Sequence, residues 1–335
     1  MSRAARTAVT VVFFASGASF GSWVARIPAL RDGVDASEAE LGLALFGVAA
    51  GAIVALPLAG LLSVRLGSRT VMRGALLGLA FAMPLPALAP SLPLLALGFA
   101  AIGATNGALD VAMNAHGVAL ESRYGRPILS SMHASFSLGG LAGAAAGGLS
   151  AAAGIPPLPQ FLVVGAAIAG IWAWTNTRTL PRDVDVDATG APAFGGVSGA
   201  LAALAAIAFA GMLAEGATGD WSAVYLDDTL GTGEGAATVA FVAFSLTMTA
   251  GRLAGDRLTS RVGPVALTRG TGIVAAAGLA LALAGDSIWL AVLGFALLGA
   301  GLSVIVPTVY RAAGSRTAVP GPASPRCRPS ATEPF

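Results

Sequence analysis

Ten separate runs, each of about 20 apolar residues, centred near residues 17, 53, 80, 103, 141, 166, 208, 246, 274 and 299, set the first limit on what this chain can become. A bilayer core about 30 Å thick is crossed by roughly 20 residues of helix. In lipid, only helices and closed barrels leave no backbone N–H or C=O without a partner. The runs are continuous and do not alternate between apolar and polar, which argues against a β-barrel. With 56% of residues hydrophobic and 11% charged, the chain has too little polar surface to coat a soluble globule of its 335 residues. An all-α membrane protein embedded in a lipid bilayer is expected. Its 45 glycines, with abundant alanine and serine, suit helices that pack closely in lipid.

All 19 basic residues are arginine, and their placement predicts the topology. Arg3, Arg6, Arg65, Arg69, Arg73, Arg123, Arg126, Arg178, Arg182, Arg252, Arg257, Arg261, Arg269 and the arginines from Arg311 onward are assigned to one side, and only Arg26 and Arg31 to the other. The loops of that other side are acidic or uncharged, so the amino terminus is expected in the cytoplasm and the protein in the cell membrane. The pI near 9.2 then reflects orientation, and no nucleic-acid partner is expected. The first run follows "MSRAAR" without a cleavage site and reads as a retained helix. The single cysteine, Cys327, excludes an internal disulfide, and His116 and His133 form no metal-ligand pattern, so neither metal nor cofactor is expected.

The sequence repeats itself. "LGFAAIGA" from residue 97 recurs as "LGFALLGA" from residue 293, an offset of 196, and "RLGSRTVMRG" from Arg65 recurs as "RVGPVALTRG" from Arg261 at the same offset. "GSW" from residue 21 recurs as "GDW" from residue 219, at 198. Two copies of a unit with an even number of spans share one orientation, related by an axis along the membrane normal. The expected organisation is an amino-terminal half over 1–177, a cytoplasmic linker over 178–197, a carboxy-terminal half over 198–314 with four helices present, and an atypical Pro- and Arg-rich tail over 315–335. That tail cannot span a membrane and reads as the product of a frameshift within a second six-helix half.

This pattern resembles the major facilitator superfamily of transporters, whose two halves are such repeats. The resemblance implies a major facilitator fold of two six-helix repeats, with about ten transmembrane helices present here. "GLLSVRLGSR" keeps Gly60, Arg65, Gly67 and Arg69 of the superfamily's G-x-x-x-D-R-x-G-R-R loop but has Val64 in place of the acid. In the second copy "GRLAGDRLTSRVG" supplies Gly255, Asp256 and Arg257. The resemblance implies that these loops latch the halves together on the cytoplasmic side. "DVAMNAHGVALESRYGRPILSSMHASFSLGGLAG" and "EGATGDWSAVYL" place the chain near a bacterial branch distantly similar to fucose:proton symporters.

Three polar residues then stand out inside the fourth run. Asn106, Asp110 and Asn114 are four apart, so they form one stripe of a helix. An ionised Asp near the bilayer centre costs roughly 2.5–3.5 kcal/mol on insertion scales, and such groups mark substrate or proton paths. By the resemblance this helix lines the central cavity. Asp110 is the first candidate for carrying protons, and Asn106 and Asn114 are substrate-cavity candidates. The same stripe also fits hydrogen-bond glue between helices, worth about 0.6 kcal/mol per bond. His133, in the fifth run, reaches a depth similar to Asn114, which makes an Asp110–His133 couple geometrically feasible; a histidine satisfied by a neighbouring carbonyl fits equally.

Glu215 lies near the outer end of the seventh run, followed by Asp220 and Trp221, and Trp221 corresponds through the repeat to Trp23, with Arg26 just beyond. Glu215 is a further proton-coupling candidate. Trp23 and Trp221, with Arg26 and Glu215 nearby, would suit a ring-shaped polar solute, and Asp220 is a further substrate-cavity candidate, while an interfacial aromatic belt with snorkelling charges explains the tryptophans as well. No G-x-x-x-x-G-K-[ST] loop and no G-x-S-x-G elbow occurs, which argues against an ATP-driven pump and against an enzyme. The expected function is secondary active transport of a small polar solute by alternating access, coupled to protons, in a monomer. The alternatives are an efflux carrier of the same fold for drugs or metabolites, and a transport-inactive membrane scaffold or sensor.

Overall fold

The computed structural model describes residues 2–179, 199–231 and 239–317, and these are almost entirely helical. The first half consists of α1 (Ser2–Val24), a short α2 (Ile27–Gly33), α3 (Glu38–Leu66), α4 (Ser68–Ala82), α5 (Leu92–Tyr124), α6 (Leu129–Ala152) and α7 (Pro157–Thr175). The second comprises α8 (Gly199–Val224), α9 (Val239–Val262), α10 (Pro264–Leu283), α11 (Ile288–Leu302) and α12 (Ile305–Thr317). Among the described residues, eight stretches are long and apolar enough to cross a membrane, one of them being α11 and α12 taken together. The two long helices outside that group, α6 and α9, carry the serine-, glycine- and charge-rich runs that the site is built from.

Element boundaries follow local chemistry. Ser37 caps α3 in a capping box, its hydroxyl accepting from the Glu40 N–H while the Glu40 carboxylate accepts from the Ser37 N–H. The break between α11 and α12 comes four residues before Pro307, whose ring clashes with the carbonyl of Ser303 and whose nitrogen offers no hydrogen. The repeat is visible in the backbone: Gly67 and Gly263, 196 apart, have φ of 82° and 85° and each closes one helix while opening the next. A positive φ at both turns requires glycine.

Close helix pairs form where small residues face each other. α1 lies against α6, with Gly17 at the backbone of Phe136 and Gly143 at that of Ala18, and α3 lies against α5 in the same manner through Gly51 and Ala100. One apolar cluster joins Val9, Phe13, Met72, Leu79, Phe99, Leu109, Met132 and Phe161 of the first half. A second joins Phe244, Met248, Phe295, Leu298 and Val309. Many remaining large apolar side chains, such as Phe46, Ile53 and Val54 on α3, point outward, as lipid contact requires. The tail expected over 315–335 lies outside the described residues from 318 onward, as does most of the linker.

Candidate functional site

The polar stripe of α5 meets α1 and α6 of the same half and, at Asp110, α12 of the other. Asp110 is partly buried, and its carboxylate accepts from the Tyr310 hydroxyl of α12 at 3.2 Å and from the Asn114 side-chain amide at 3.0 Å. Asn114, fully buried, also donates to the Asp110 carbonyl at 2.9 Å. Because its amide nitrogen faces the carboxylate, its oxygen faces His133 Nε2 at 3.0 Å, which makes that nitrogen the proton-bearing one. Asp110 and His133 are thus joined through Asn114, and no direct bond between them forms. The imidazole is buried between Phe13, with ring centroids 5.2 Å apart, and Tyr310, stacked at 6.3 Å. Asn106, one turn further along the stripe, accepts from Ser16 of α1 at 2.8 Å.

The chain of polar contacts continues on α6. Ser137, one turn beyond His133, accepts from Arg252 Nη1 at 2.6 Å, and Arg252 Nη2 meets both oxygens of Glu215 at 3.2 and 3.0 Å. The sequence groups Arg252 with the arginines of the cytoplasmic loops, and the structure corrects this. Arg252 lies inside α9, ten residues and about 15 Å of helix before its end, and its side chain is 6% exposed. A buried guanidinium needs a counter-charge, and Glu215 supplies it.

A second layer lies toward the arginine-rich end. Asp256, one turn beyond Arg252 on α9, accepts from the backbone N–H groups of Ser130 and Ser131 at 2.9 Å each. A carboxylate from one half therefore caps the first turn of α6 in the other, where unpaired N–H groups and the helix dipole favour an anion. Gly255 makes room for this approach, since a Cβ there would stand 2.8 Å from Ser130 Cβ. Glu121, buried at the end of α5, accepts from the N–H groups of Ile128 and Leu129 at 2.8 and 2.9 Å and pairs with Arg311 of α12 through both of its oxygens. Arg311 also stands 3.8 Å from Asp256.

The other candidates occupy different environments. Trp23 is buried against Phe99 and Phe20, and Arg26 is buried nearby, donating to Gln160 at 3.0 Å and to the Ile155 carbonyl at 2.6 Å. Trp221 is 66% exposed and walls a largely apolar cavity of about 480 Å³ with Thr218, Tyr225 and Phe295. The two tryptophans thus do not face one common space. Asp220 falls within α8, and its side chain lies outside the described residues. Arg69 donates to the Asn176 carbonyl past the end of α7, Arg65 and Arg257 are exposed, and Gly60 has open space where a Cβ would lie. Tyr310, Arg311, Glu121 and Arg252 were not singled out by the sequence as site residues. A Tyr-Arg pair three residues past an intramembrane proline, and charges inside apolar runs, are the signals that point to them.

Comparison with known proteins sets this arrangement in context. Residues 8–323 match the family model described as Major Facilitator Superfamily. An uncharacterized transporter of Sinorhizobium fredii is 33% identical over 314 residues, which cover 93% of this chain and 83% of that protein. Among solved structures, the human organic anion transporter aligns with a TM-score of 0.72 at 20% identity, covering 93% of this chain and 86% of its own. The fucose:proton symporter of E. coli aligns at 0.67 and 18%, covering 91% and 82%. Both structural likenesses are of fold.

Proposed function

The chain belongs to the major facilitator superfamily, and from that premise we propose that it is a secondary active transporter that moves a small polar solute across the cell membrane together with protons. It is a multi-pass membrane protein whose relatives are transporters. In the proposed cycle the halves, 1–177 and 198–314, rock about the polar centre as a monomer, with the amino terminus in the cytoplasm. Uptake is the favoured direction.

The observation that carries the coupling assignment is the placing of Asp110. It is a carboxylate inside an apolar span, held by the neutral donors Tyr310 and Asn114, with no cation within ion-pair distance among the described residues. Neutral donors tolerate both charge states of an acid, and Tyr310 belongs to the opposite half. A change in the charge of Asp110 therefore alters a contact between the halves. His133, joined through Asn114, is the second candidate, and Glu215, tied to Arg252, the third. Asn106 lines the path for solute in this reading, whereas Asn114, expected there too, is buried with both ends of its amide engaged and serves the link between Asp110 and His133.

The arginine-rich layer serves as the cytoplasmic gate in this reading. Asp256 on the start of α6, and Arg311 between Glu121 and Asp256, hold that end shut. Gly60, Arg65, Gly67, Arg69, Gly255 and Arg257 form the turns and surfaces around it. Proteoliposomes loaded with a pH-sensitive dye test the coupling. Addition of a transported solute should acidify the lumen for the wild type, and Asp110→Asn should abolish acidification while leaving downhill solute exchange. Solute accumulation indifferent to an imposed pH gradient would defeat the proton-coupled reading.

A further inference from the structure

The proton-carrying role of Asp110 leaves the most buried charge at the centre without a task. Arg252 is 6% exposed at its side chain, while its partner Glu215 is 37% exposed and so forms the open side of the pair. The guanidinium is under-used. Its Nε–H and Nη2–H leave from one edge, the edge that binds a carboxylate with two parallel bonds. Here Nη2 alone serves both oxygens of Glu215, and Nε, buried, has no partner among the described residues. Nη1 is spent on Ser137 of the opposite half.

Resting on the transporter reading above, we propose that Arg252 is the residue that recognises the solute, that the solute bears a single carboxylate, and that this group replaces Glu215 on the Nε/Nη2 edge. An exchange of one carboxylate for another never leaves the buried guanidinium bare, which is the costly state. A neutral solute would have to break the pair with nothing to offer in return, and a cationic one would be repelled by Arg252. The edge now gripped through one nitrogen would be gripped through two. Glu215 can leave because it projects from α8, whose outward face is largely exposed, and Arg252 is the one charged partner it has among the described residues. The helices packed against α8 besides α9, namely α11 and α12, bring no other charged group within ion-pair distance of it among the described residues.

Thermal unfolding of the purified full chain in detergent tests the recognition. The probes are sodium glucuronate, gluconate, lactate and acetate, with glucose and glucosamine as neutral and cationic ring counterparts and sodium chloride matching ionic strength. At least one carboxylate should raise the Tm of the wild type. R252Q should lose that shift, R252K should weaken it, and E215Q, which lacks the competing carboxylate, should need about tenfold less ligand, equivalent to about 1.4 kcal/mol. Should a single variant fail to fold because it leaves one charge unpaired, E215Q/R252Q removes both charges and should fold without carboxylate response. The proposal is overturned if no carboxylate shifts the wild type more than sodium chloride does, or if the shift survives R252Q. It is equally overturned if glucose or glucosamine stabilises as strongly as glucuronate. Carboxylate-dependent stabilisation without solute flux in proteoliposomes would keep the recognition and remove the transporter reading. Flux of neutral solutes indifferent to R252Q would do the reverse.

Discussion

Tyr310 donates to Asp110 at 3.2 Å across a separation of 200 residues, and this bond links a charge inside the first half to the kinked tenth span of the second. The kink follows from Pro307, so the phenol hangs from the shorter segment beyond the break. A hydrogen bond to a charged group contributes about 1.5–3 kcal/mol net. Tyr310→Phe should accordingly slow solute-driven proton entry about tenfold or more while leaving the fold intact. Initial rates in proteoliposomes check this, and a variant within twofold of wild type would separate Tyr310 from coupling.

Asp256 closes the arginine-rich end through two N–H groups of α6. Asp256→Ala removes both bonds, and Gly255→Leu drives a side chain into Ser130. Each should raise the rate at which a thiol reagent labels a cysteine placed at Val118, which lies against Gly314 under the gate, by about tenfold if 1.4 kcal/mol of closure is lost. Unchanged labelling in both variants would show that the gate is held elsewhere.

The glycines of α6 differ in what surrounds them. A Cβ on Gly143 would meet the backbone of Ala18, with Ala18 Cα at 2.9 Å, whereas Gly148 faces open space. Gly143→Ala should cost about 1–3 kcal/mol as an overpacked contact. Gly148→Ala should be neutral or stabilise by up to about 1 kcal/mol through helix propensity. Thermal unfolding in detergent distinguishes them, and equal effects at both positions would contradict the packing described.

Trp23 and Trp221 should part in the same way. Trp23→Ala empties a buried site beside Phe99 and should cost about 3–5 kcal/mol, while Trp221→Ala should stay within about 0.5 kcal/mol. Chemical denaturation of the two variants provides the comparison.

The contrast between these tryptophans shows what a sequence can and cannot carry. Their equivalence in the repeat is plain from "GSW" and "GDW", and equal spacing does place both near the same end of equivalent helices. Surroundings are another matter: α1 is wrapped by α6, while α8 is largely exposed. The stripe of Asn106, Asp110 and Asn114 was readable because helical period alone defines a face. What meets that face was not, because Tyr310 reaches it from the opposite half. Depth counting brought His133 level with Asn114, and the structure adds the lateral fact that Asn114 stands between His133 and Asp110. The turns at Gly67 and Gly263 were the most legible elements, since a glycine kept at one offset answers a local backbone demand.

The carboxylate that caps α6 comes from the other half, and this turns two amide hydrogens into a clock. While Asp256 is in place, the N–H groups of Ser130 and Ser131 are sheltered; each time the halves part, the first turn of α6 loses its cap and those hydrogens meet water. Deuterium uptake at these two positions therefore counts door openings directly, without a label, a mutation or any knowledge of the cargo.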